Sequence, residues 1–594
     1  MIKKNTIITP VSTINLQSLT RSVNYLYIKR PLNKLLGLLT VLIIFSCSAE
    51  EKADMVIMNG NVYTVSEGFS TESNIIIEDG KIKAIVNDDA ADAAIGPETQ
   101  VVELNGEFVM PGFIEGHGHY SGLGYSLLNL NFLKSKSWEE IVTMVEEKVK
   151  VTEPGTWIVG RGWHQEKWDS TPIENIHGYP IHQALSKISP DHPVILSHAS
   201  GHSLYANKKA MDLAGVSKET ADPSGGEIVR DRNGEAIGVF EERAMGVIRN
   251  AYQEYLKDLS QEDLREEWDE AVAASATECL QKGITSFQDA GSSYEEMDRY
   301  AEMATAGELD VRLWVMARHS SDDLKGKIGS YKKIGVGNDF YTCNAIKSEV
   351  DGALGAFGAW LLKPYNDKPG FVGQNTTDIY EVKKIADIAS ANGMQLCVHA
   401  IGDKANNVVL DIYESLNQKN SDHRWRIEHA QHIDTNDISR FKEFNIIASM
   451  QGIHCTSDAP FVQKRLGYER AKYGSYPWRS LLDEGVIIAN GTDAPVEDVD
   501  PIPSFYASVT RKRIDNGFEF FAEQSMTREE AIYSYTLGNA YAAFEDNIKG
   551  SIEPGKYADL VILSQDLIHC TDDEILEAKV LHTILNGELK YSAQ

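Results

Sequence analysis

Two histidines separated by a single glycine, His117 and His119, offer the first candidate chemistry in this chain. They end the stretch 111–119, in which Gly116 and Gly118 leave space around both imidazoles. On an extended strand, residues two positions apart point to the same side. Neutral imidazoles on one face are able to bind one metal ion. Taken alone, the pair fits two surface histidines equally well.

Three further polar residues stand where apolar, strand-like runs end. His399, His429 and Asp493 each close such a run and precede a loop. In a barrel of parallel strands, these positions converge at the carboxyl-terminal mouth, where active sites lie. One such residue would fit a hydrogen-bonded core group, but three of them downstream of the histidine pair predict a shared site.

Alternating polar residues in the run 345–352 add a third signal. Lys347, Glu349 and Asp351 share a face if the strand is regular. A lysine directed into a barrel is costly unless it is paired or modified. Reaction with carbon dioxide would turn Lys347 into a carbamate, an anionic ligand able to bridge two metals. The alternative is an ion pair between Lys347 and Glu349.

The elements that must position these residues alternate between strand-like and helix-like segments. This alternation predicts an α/β fold built from parallel βα units over residues 112–544. Because more than eight strand candidates appear, we expect an insertion at about 155–250, which is rich in turns. The sequence Thr527 to Glu530 predicts a capping box at the start of a late helix.

Short β segments occupy both ends of the mature chain. Asn59-Gly60, Asp79-Gly80 and Asn586-Gly587 separate apolar runs and are hairpin signals. Because the termini of a domain are often close together, we expect 53–111 and 545–594 to form one composite β-sandwich beside the barrel.

The first 46 residues predict a signal peptide of the lipoprotein type. A basic segment precedes the short apolar run 35–45, which is too short to span a membrane stably. The run 44–47 resembles a bacterial lipobox that ends at Cys47. We therefore expect a lipid on Cys47, a tether over 47–52, and attachment to the membrane at the bacterial cell envelope. An ordinary cleaved signal peptide and an N-terminal hydrophobic helix are the alternatives.

The charge composition limits the classes of molecule that the protein could bind. The formal net charge is −30, from 57 basic and 87 acidic side chains. Such a surface repels phosphate backbones, so we expect no nucleic-acid partner. The six cysteines include no CxxC pair, and their spacing does not indicate a disulfide framework.

Several stretches in order along the chain carry a family resemblance. They are 160–163 (GRGW), 200–203 (SGHS), Ile346-Lys347 with 351–355 (DGALG), 399–405 (HAIGDKA), 426–431 (RIEHAQ), 491–496 (GTDAPV) and 550–556 (GSIEPGK). Together with the histidine pair, the chain resembles the amidohydrolase superfamily. More narrowly, it resembles the amidohydrolase-3 group, which includes N-substituted formamide deformylases and YtcJ-like proteins.

The resemblance implies a TIM-like (β/α)8 barrel over residues 112–544, a flanking β-sandwich and one or two divalent metals, usually zinc. By position, the implied metal ligands are His117, His119, Lys347 (as a carbamate), His399, His429 and Asp493. His432 is an alternative ligand.

Catalytic and pocket roles also follow from the resemblance. Asp493 is expected to act as general base and then acid. His202 and Trp163 are expected to line the substrate pocket, with His202 donating a hydrogen bond to the oxyanion. The alternative for His202 is a histidine held by loop backbone.

The expected function is a metal-dependent hydrolase that cleaves a non-peptide carbon–nitrogen bond of the amide or formamide type. The substrate would be a small molecule, and formation of a homodimer is left open. Two alternatives stand beside it: a catalytically silent, ligand-binding lipoprotein on the same fold, and hydrolysis of another bond or isomerisation.

Overall fold

The core of the molecule is a nearly closed barrel of eight parallel strands. The computed structural model describes residues 52–416 and 422–593. In order around the barrel, the first to eighth strands are Phe113–Gly118, Ile284–Ser292, Arg312–Ala317, Tyr341–Glu349, Gln395–Ala400, Arg426–His429, Ile447–Gln451 and Ile488–Gly491. The Asp493 N–H donates to His117 O at 2.8 Å and joins the end of the eighth strand to the first. The predicted fold class is confirmed.

The barrel strands are buried on both faces. All six residues of Arg312–Ala317 and of Gln395–Ala400 are buried, because outward side chains pack on helices and inward ones fill the barrel. The helices that follow or flank the barrel strands are Tyr120–Leu128, Gln261–Gln281, Tyr294–Ala306, Ile379–Ala391, Asp403–Ser415, Ile438–Glu443, Gly452–Leu466, Tyr468–Gly474, Trp478–Asp483, Pro501–Thr510, Arg528–Tyr535 and Leu537–Ala542. The predicted capping box is present: the Thr527 side chain accepts from Glu530 N, and the Glu530 side chain accepts from Thr527 N.

Two sheets built from both ends of the described chain pack beside the barrel. One contains Lys81–Val86, Asn74–Glu78, Met55–Met58 and Gln100–Glu103; the other contains Asn61–Val62, Phe108–Pro111, Leu560–Leu563, Val580–Leu585 and Glu588–Ser592. Ile57 and Ile75 from the first sheet share an apolar core with Val109 and Leu560 from the second. The second sheet therefore joins segments that lie more than 440 positions apart.

The chain segment between the first and second barrel strands forms a six-stranded sheet. Its order is Gly226–Arg230, Ala236–Glu242, Ser203–Ala206, Val194–His198, Ile158–Trp163 and Leu130–Asn131. Its strand Leu130–Asn131 lies before residue 155, the approximate start of the insertion that the sequence suggested. The same chain segment also contains four helices: Trp138–Val149, Gln183–Ile188, Lys208–Leu213 and Met245–Leu256.

The expected signal peptide, its lipid site Cys47 and nearly all of the tether lie outside the described residues. Among the helices of the described part, none is both long enough and apolar enough to cross a membrane.

Candidate metal centre and active site

A cavity of about 420 Å³ opens at the carboxyl-terminal ends of the barrel strands. All six predicted ligands line it: His117, His119, Lys347, His399, His429 and Asp493. The barrel explains this convergence, because strands one, four, five, six and eight all end at the same mouth. Half of the sixteen histidines in the chain face this one cavity.

Asp493 lies at the centre of the histidine cluster. Its Oδ1 is 3.4 Å from His119 Nε2 and 3.7 Å from His117 Nε2, and its Oδ2 is 3.9 Å from His429 Nδ1. Asp493 and His429 have φ angles of +59° and +71°, a left-handed region that non-glycine residues seldom adopt. Such backbone strain is typical of functional sites.

Two buried atoms in the cluster are left without hydrogen bonds. Asp493 Oδ1 and His399 Nε2 have no hydrogen-bond partner within residues 52–416 and 422–593. The His399 ring centroid lies 4.5 Å from that of His429. Because buried polar groups almost always find partners, orphaned acceptor atoms on residues that line one cavity fit a bound cation.

The protonation states suit such a role. Burial lowers the pKa of His117 to about 4 and holds the pKa values of His399 and His429 well below the usual range. Neutral imidazoles are the form that binds metals. Burial raises the pKa of Asp493, but the neighbouring imidazoles of His119, His429 and His117 outweigh it, so the pKa is lowered and the group is a carboxylate.

Behind the cluster, a buried carboxylate orients His117. Glu428 contacts His117 Nδ1, and its Oε1 lies 2.7 Å from Arg426 Nε. Arg426 also donates to Gly116 O and to Ser449 Oγ, both at 2.8 Å. A carboxylate on one ring nitrogen fixes the tautomer and directs the other nitrogen toward the cavity. The sequence did not identify Glu428, although it precedes His429 on the sixth strand.

Lys347 faces the cavity rather than a carboxylate partner. Its Nζ lies 3.3 Å from His117 Nε2, and burial lowers its pKa to about 8. Glu349 instead pairs with Arg318. The alternative of a Lys347–Glu349 ion pair is therefore not what the structure contains.

Two of the other sequence candidates serve the loops around the site. Asp351 accepts backbone N–H groups of Ile401, Gly402 and Trp360 at 2.8–2.9 Å. His432 contacts Ser475 Oγ at 2.9 Å and does not line the cavity. The alternative ligand His432 is thus separated from the cluster.

His202 lines the cavity from the insertion. Its Nδ1 lies 3.0 Å from Glu242 Oε2. Burial lowers the pKa of His202, but Glu242, Glu349 and Asp351 outweigh it and raise the pKa to about 9. At neutral pH His202 is therefore an imidazolium held by a carboxylate, not a histidine held only by loop backbone.

Trp163 lies in the core of the insertion rather than at the cavity. It is fully buried, and its Nε1 donates to Leu196 O at 2.8 Å. The expectation that Trp163 lines the substrate pocket does not agree with this position. The next residue, His164, lines the cavity instead.

His454 is a site residue that the sequence reasoning missed. It lies on helix Gly452–Leu466, directly after the seventh strand, and lines the cavity. One nitrogen of His454, one of His429 and one oxygen of Asp493 lie within 4.8 Å of one another. Gln431 Nε2 contacts His454 Nδ1 at 3.0 Å, whereas His454 Nε2 has no partner among the described residues. A polar residue shortly after the seventh strand is the sequence signal that could have identified His454.

Comparison with known proteins decides the family. The amidohydrolase family model matches residues 100–591. This chain belongs to the amidohydrolase family. It is 32% identical to the putative amidohydrolase YtcJ of Bacillus subtilis, over 90% of this chain and 98% of that one. It is 28% identical to the N-substituted formamide deformylase of Arthrobacter pascens, over 91% and 98% of the two chains.

A solved structure supports the same assignment. An uncharacterised metal-dependent hydrolase from Pyrococcus horikoshii superposes with a TM-score of 0.69 at 25% identity, over 87% of this chain and 99% of that one. The family resemblance expected from the sequence motifs is confirmed. This amidohydrolase therefore carries its donor cluster on a barrel that a metal-dependent hydrolase shares.

Proposed function

We propose that the protein hydrolyses a carbon–nitrogen bond of the amide or formamide type in a small molecule. The observation that carries the proposal is the cluster of imidazoles beside Asp493, in which Asp493 Oδ1 and His399 Nε2 are buried without hydrogen-bond partners in the described chain. The likeness to an N-substituted formamide deformylase supports the type of bond.

The donor set suits Zn²⁺, since it is rich in imidazole nitrogen and includes one carboxylate. His117, His119, His399, His429 and Asp493 would hold one or two ions. When bound, the metal would acidify a water molecule and polarise the substrate carbonyl. Lys347 would join this set only as a carbamate, because an ammonium group would repel the cation.

Asp493 and His202 would carry the proton transfer and the charge stabilisation. The carboxylate of Asp493 takes a proton from the attacking water and returns it to the leaving nitrogen. His202, kept protonated by Glu242, donates a hydrogen bond to the carbonyl oxygen as negative charge develops on it.

The test combines metal analysis with a substrate screen. Purified protein should contain zinc, lose activity to a chelator and regain it with added zinc. It should cleave chromophore-labelled N-formyl or N-acyl amines in preference to lactones. Asp493→Asn should lower kcat by about 10²- to 10⁴-fold while some metal is retained. Activity of this variant close to wild type would remove Asp493 from the mechanism.

Histidine variants provide a matched control for the metal. His399→Asn should reduce zinc content, whereas His432→Asn, which removes an equally buried histidine away from the cavity, should keep it. Metal-loaded protein that cleaves only lactones would favour another bond type. Metal-free protein that binds small molecules without turnover would favour the silent ligand-binding alternative.

We also propose that a lipid on Cys47 anchors the protein to a membrane at the bacterial cell envelope. The support is the basic segment, the short apolar run and the lipobox-like residues 44–47.

A further inference from the structure

A second cavity, of about 290 Å³, adjoins the metal-site cavity. His119, Ser200, Gly201, Arg249 and Val496 line both cavities. His119 is also the most exposed of the proposed histidine ligands, with 34% of its side chain accessible. A molecule that reaches the metal site therefore has an adjacent space in which to place a second group.

Among the residues that the structure describes, the walls of this second cavity contain two arginines, Arg161 and Arg249, and no acidic residue. That is unusual in a chain with 87 acidic and 57 basic side chains. By contrast, two cations on the larger cavity are paired: Arg318 with Glu349, and Lys167 with Glu497 at 2.7 Å.

Neither arginine has a carboxylate partner in the described part of the chain. Arg161 donates from Nη2 to Ala199 O at 2.9 Å, while its Nε is buried without a hydrogen bond. The Arg249 side chain makes no hydrogen bond or ion pair with any residue that the structure describes. Burial lowers the pKa of Arg161 to about 10; the charge of Asp493 opposes this shift, and the charge of Arg249 adds to it.

The buried Nε of Arg161 is a donor without an acceptor, which is costly unless an anion or another acceptor reaches it. Arg249 is an exposed residue and adds a second positive charge at the same cavity. The planar guanidinium fork matches a carboxylate, with which it forms two parallel hydrogen bonds. Tyr125, Ser126 and Asn129 line the same cavity and offer neutral donors around such a group.

We propose that Arg161 and Arg249 bind a carboxylate of the substrate, so that the preferred substrates are amides carrying a carboxylate near the scissile bond. This inference rests on the proposed function. An N-formyl or N-acyl amino acid has the required chemistry. The oxygen of water bonds to the carbonyl carbon, the carbon–nitrogen bond breaks, and the nitrogen takes a proton, which releases a carboxylic acid and an amino acid.

The kinetic test compares two formamides that differ only in the carboxylate. For the zinc-containing protein, kcat/KM should be at least about tenfold higher for N-formylphenylalanine than for N-formyl-2-phenylethylamine, a difference of about 1.4 kcal/mol. Arg249→Gln should reduce this preference by about tenfold. Arg243→Gln should keep it, because Arg243 lines only the larger cavity and removal of its charge is a matched control.

A binding measurement separates failure of this inference from failure of the proposed function. Calorimetry would compare 3-phenylpropionate with 3-phenylpropan-1-ol, neither of which contains a carbon–nitrogen bond. Weaker binding of the carboxylate to Arg249→Gln than to Arg243→Gln supports the subsite even if neither formamide is cleaved. Equal binding to both variants overturns it, as does an unchanged preference in Arg249→Gln when both formamides are cleaved.

Discussion

Glu242 shows how a single side chain prepares the site from a distance. It sits at the end of an insertion strand with φ +48°, and its Oε2 meets His202 Nδ1 at 3.0 Å. Gly352 and Gly358 lie against the carboxylate, and a Cβ at either position would overlap Glu242 Oε1. The loop after the fourth barrel strand therefore admits the carboxylate only because both positions lack a side chain.

Glu242→Gln tests whether this carboxylate supports catalysis through His202. The amide keeps the volume but no longer holds His202 as an imidazolium, so kcat should fall by about tenfold or more, with a smaller change in KM. Kinetics on the best formamide, together with zinc analysis, would measure this.

The control for Glu242 is its neighbour on the same strand. Glu241 accepts from Tyr179 OH at 2.6 Å and does not line the cavity. Glu241→Gln should therefore keep kcat within about twofold. Equal losses in the two variants would mean that Glu242 acts on the fold and not on His202.

At the scale of elements, one close helix contact places His119. Helix Tyr120–Leu128 begins directly after His119 and packs on helix Gln261–Gln281. A Cβ on Gly124 would overlap the backbone carbonyl of Ala271. Ser275 Oγ donates to Tyr120 O at 2.7 Å, and Tyr120 N donates to Asp289 Oδ1 at 3.1 Å. These contacts fix the position of the helix and therefore of His119, the proposed metal ligand that precedes it.

Gly124→Ala should destabilise the protein by about 1–3 kcal/mol, because a helix backbone cannot easily move aside for the added methyl group. It should also lower zinc affinity through His119. Gly246→Ala is the control, since no atom of the described residues lies within 4 Å of a Cβ at that helical position. The control should be neutral or stabilising by up to about 1 kcal/mol. Denaturant unfolding would measure both, and equal midpoints would contradict the packing argument.

At the scale of the whole molecule, the barrel and the terminal sheets are tied by a buried ion pair. Arg312 on the third barrel strand donates to Asp559 from Nε at 2.7 Å and from Nη2 at 3.2 Å. Both side chains are almost fully buried. Thr583 Oγ1 also donates to Leu280 O at 2.6 Å. The described chain therefore begins and ends in sheets that pack against the barrel.

The proposed anchor predicts a difference in location with no difference in catalysis. Expressed in a bacterium, the full chain should partition into detergent and incorporate labelled fatty acid, whereas Cys47→Ser should stay in the aqueous phase. Cys570→Ser, which changes a partly buried free thiol, should behave like the wild type. Aqueous partitioning of the wild type without label would refute the lipid.

The sequence determined the residues that end barrel strands. His117, His399, His429 and Asp493 could be selected because each closes an apolar run, and parallel strands bring all such ends to one mouth. The α/β class followed for the same reason. Local patterns fix the type of an element and the face on which a side chain stands.

Only the tertiary structure decided which groups meet across distant parts of the chain. Glu428 reaches His117 over 311 positions, and Glu242, His454 and Arg249 come from an insertion or from helices, where no strand-end rule applies. Trp163 illustrates the physical reason. The pairing of its strand shifts register opposite Ser197 and His198, and a shift of one residue exchanges the two faces of a strand. Tertiary packing determines whether such a register shift occurs, and the pattern of apolar and polar residues does not.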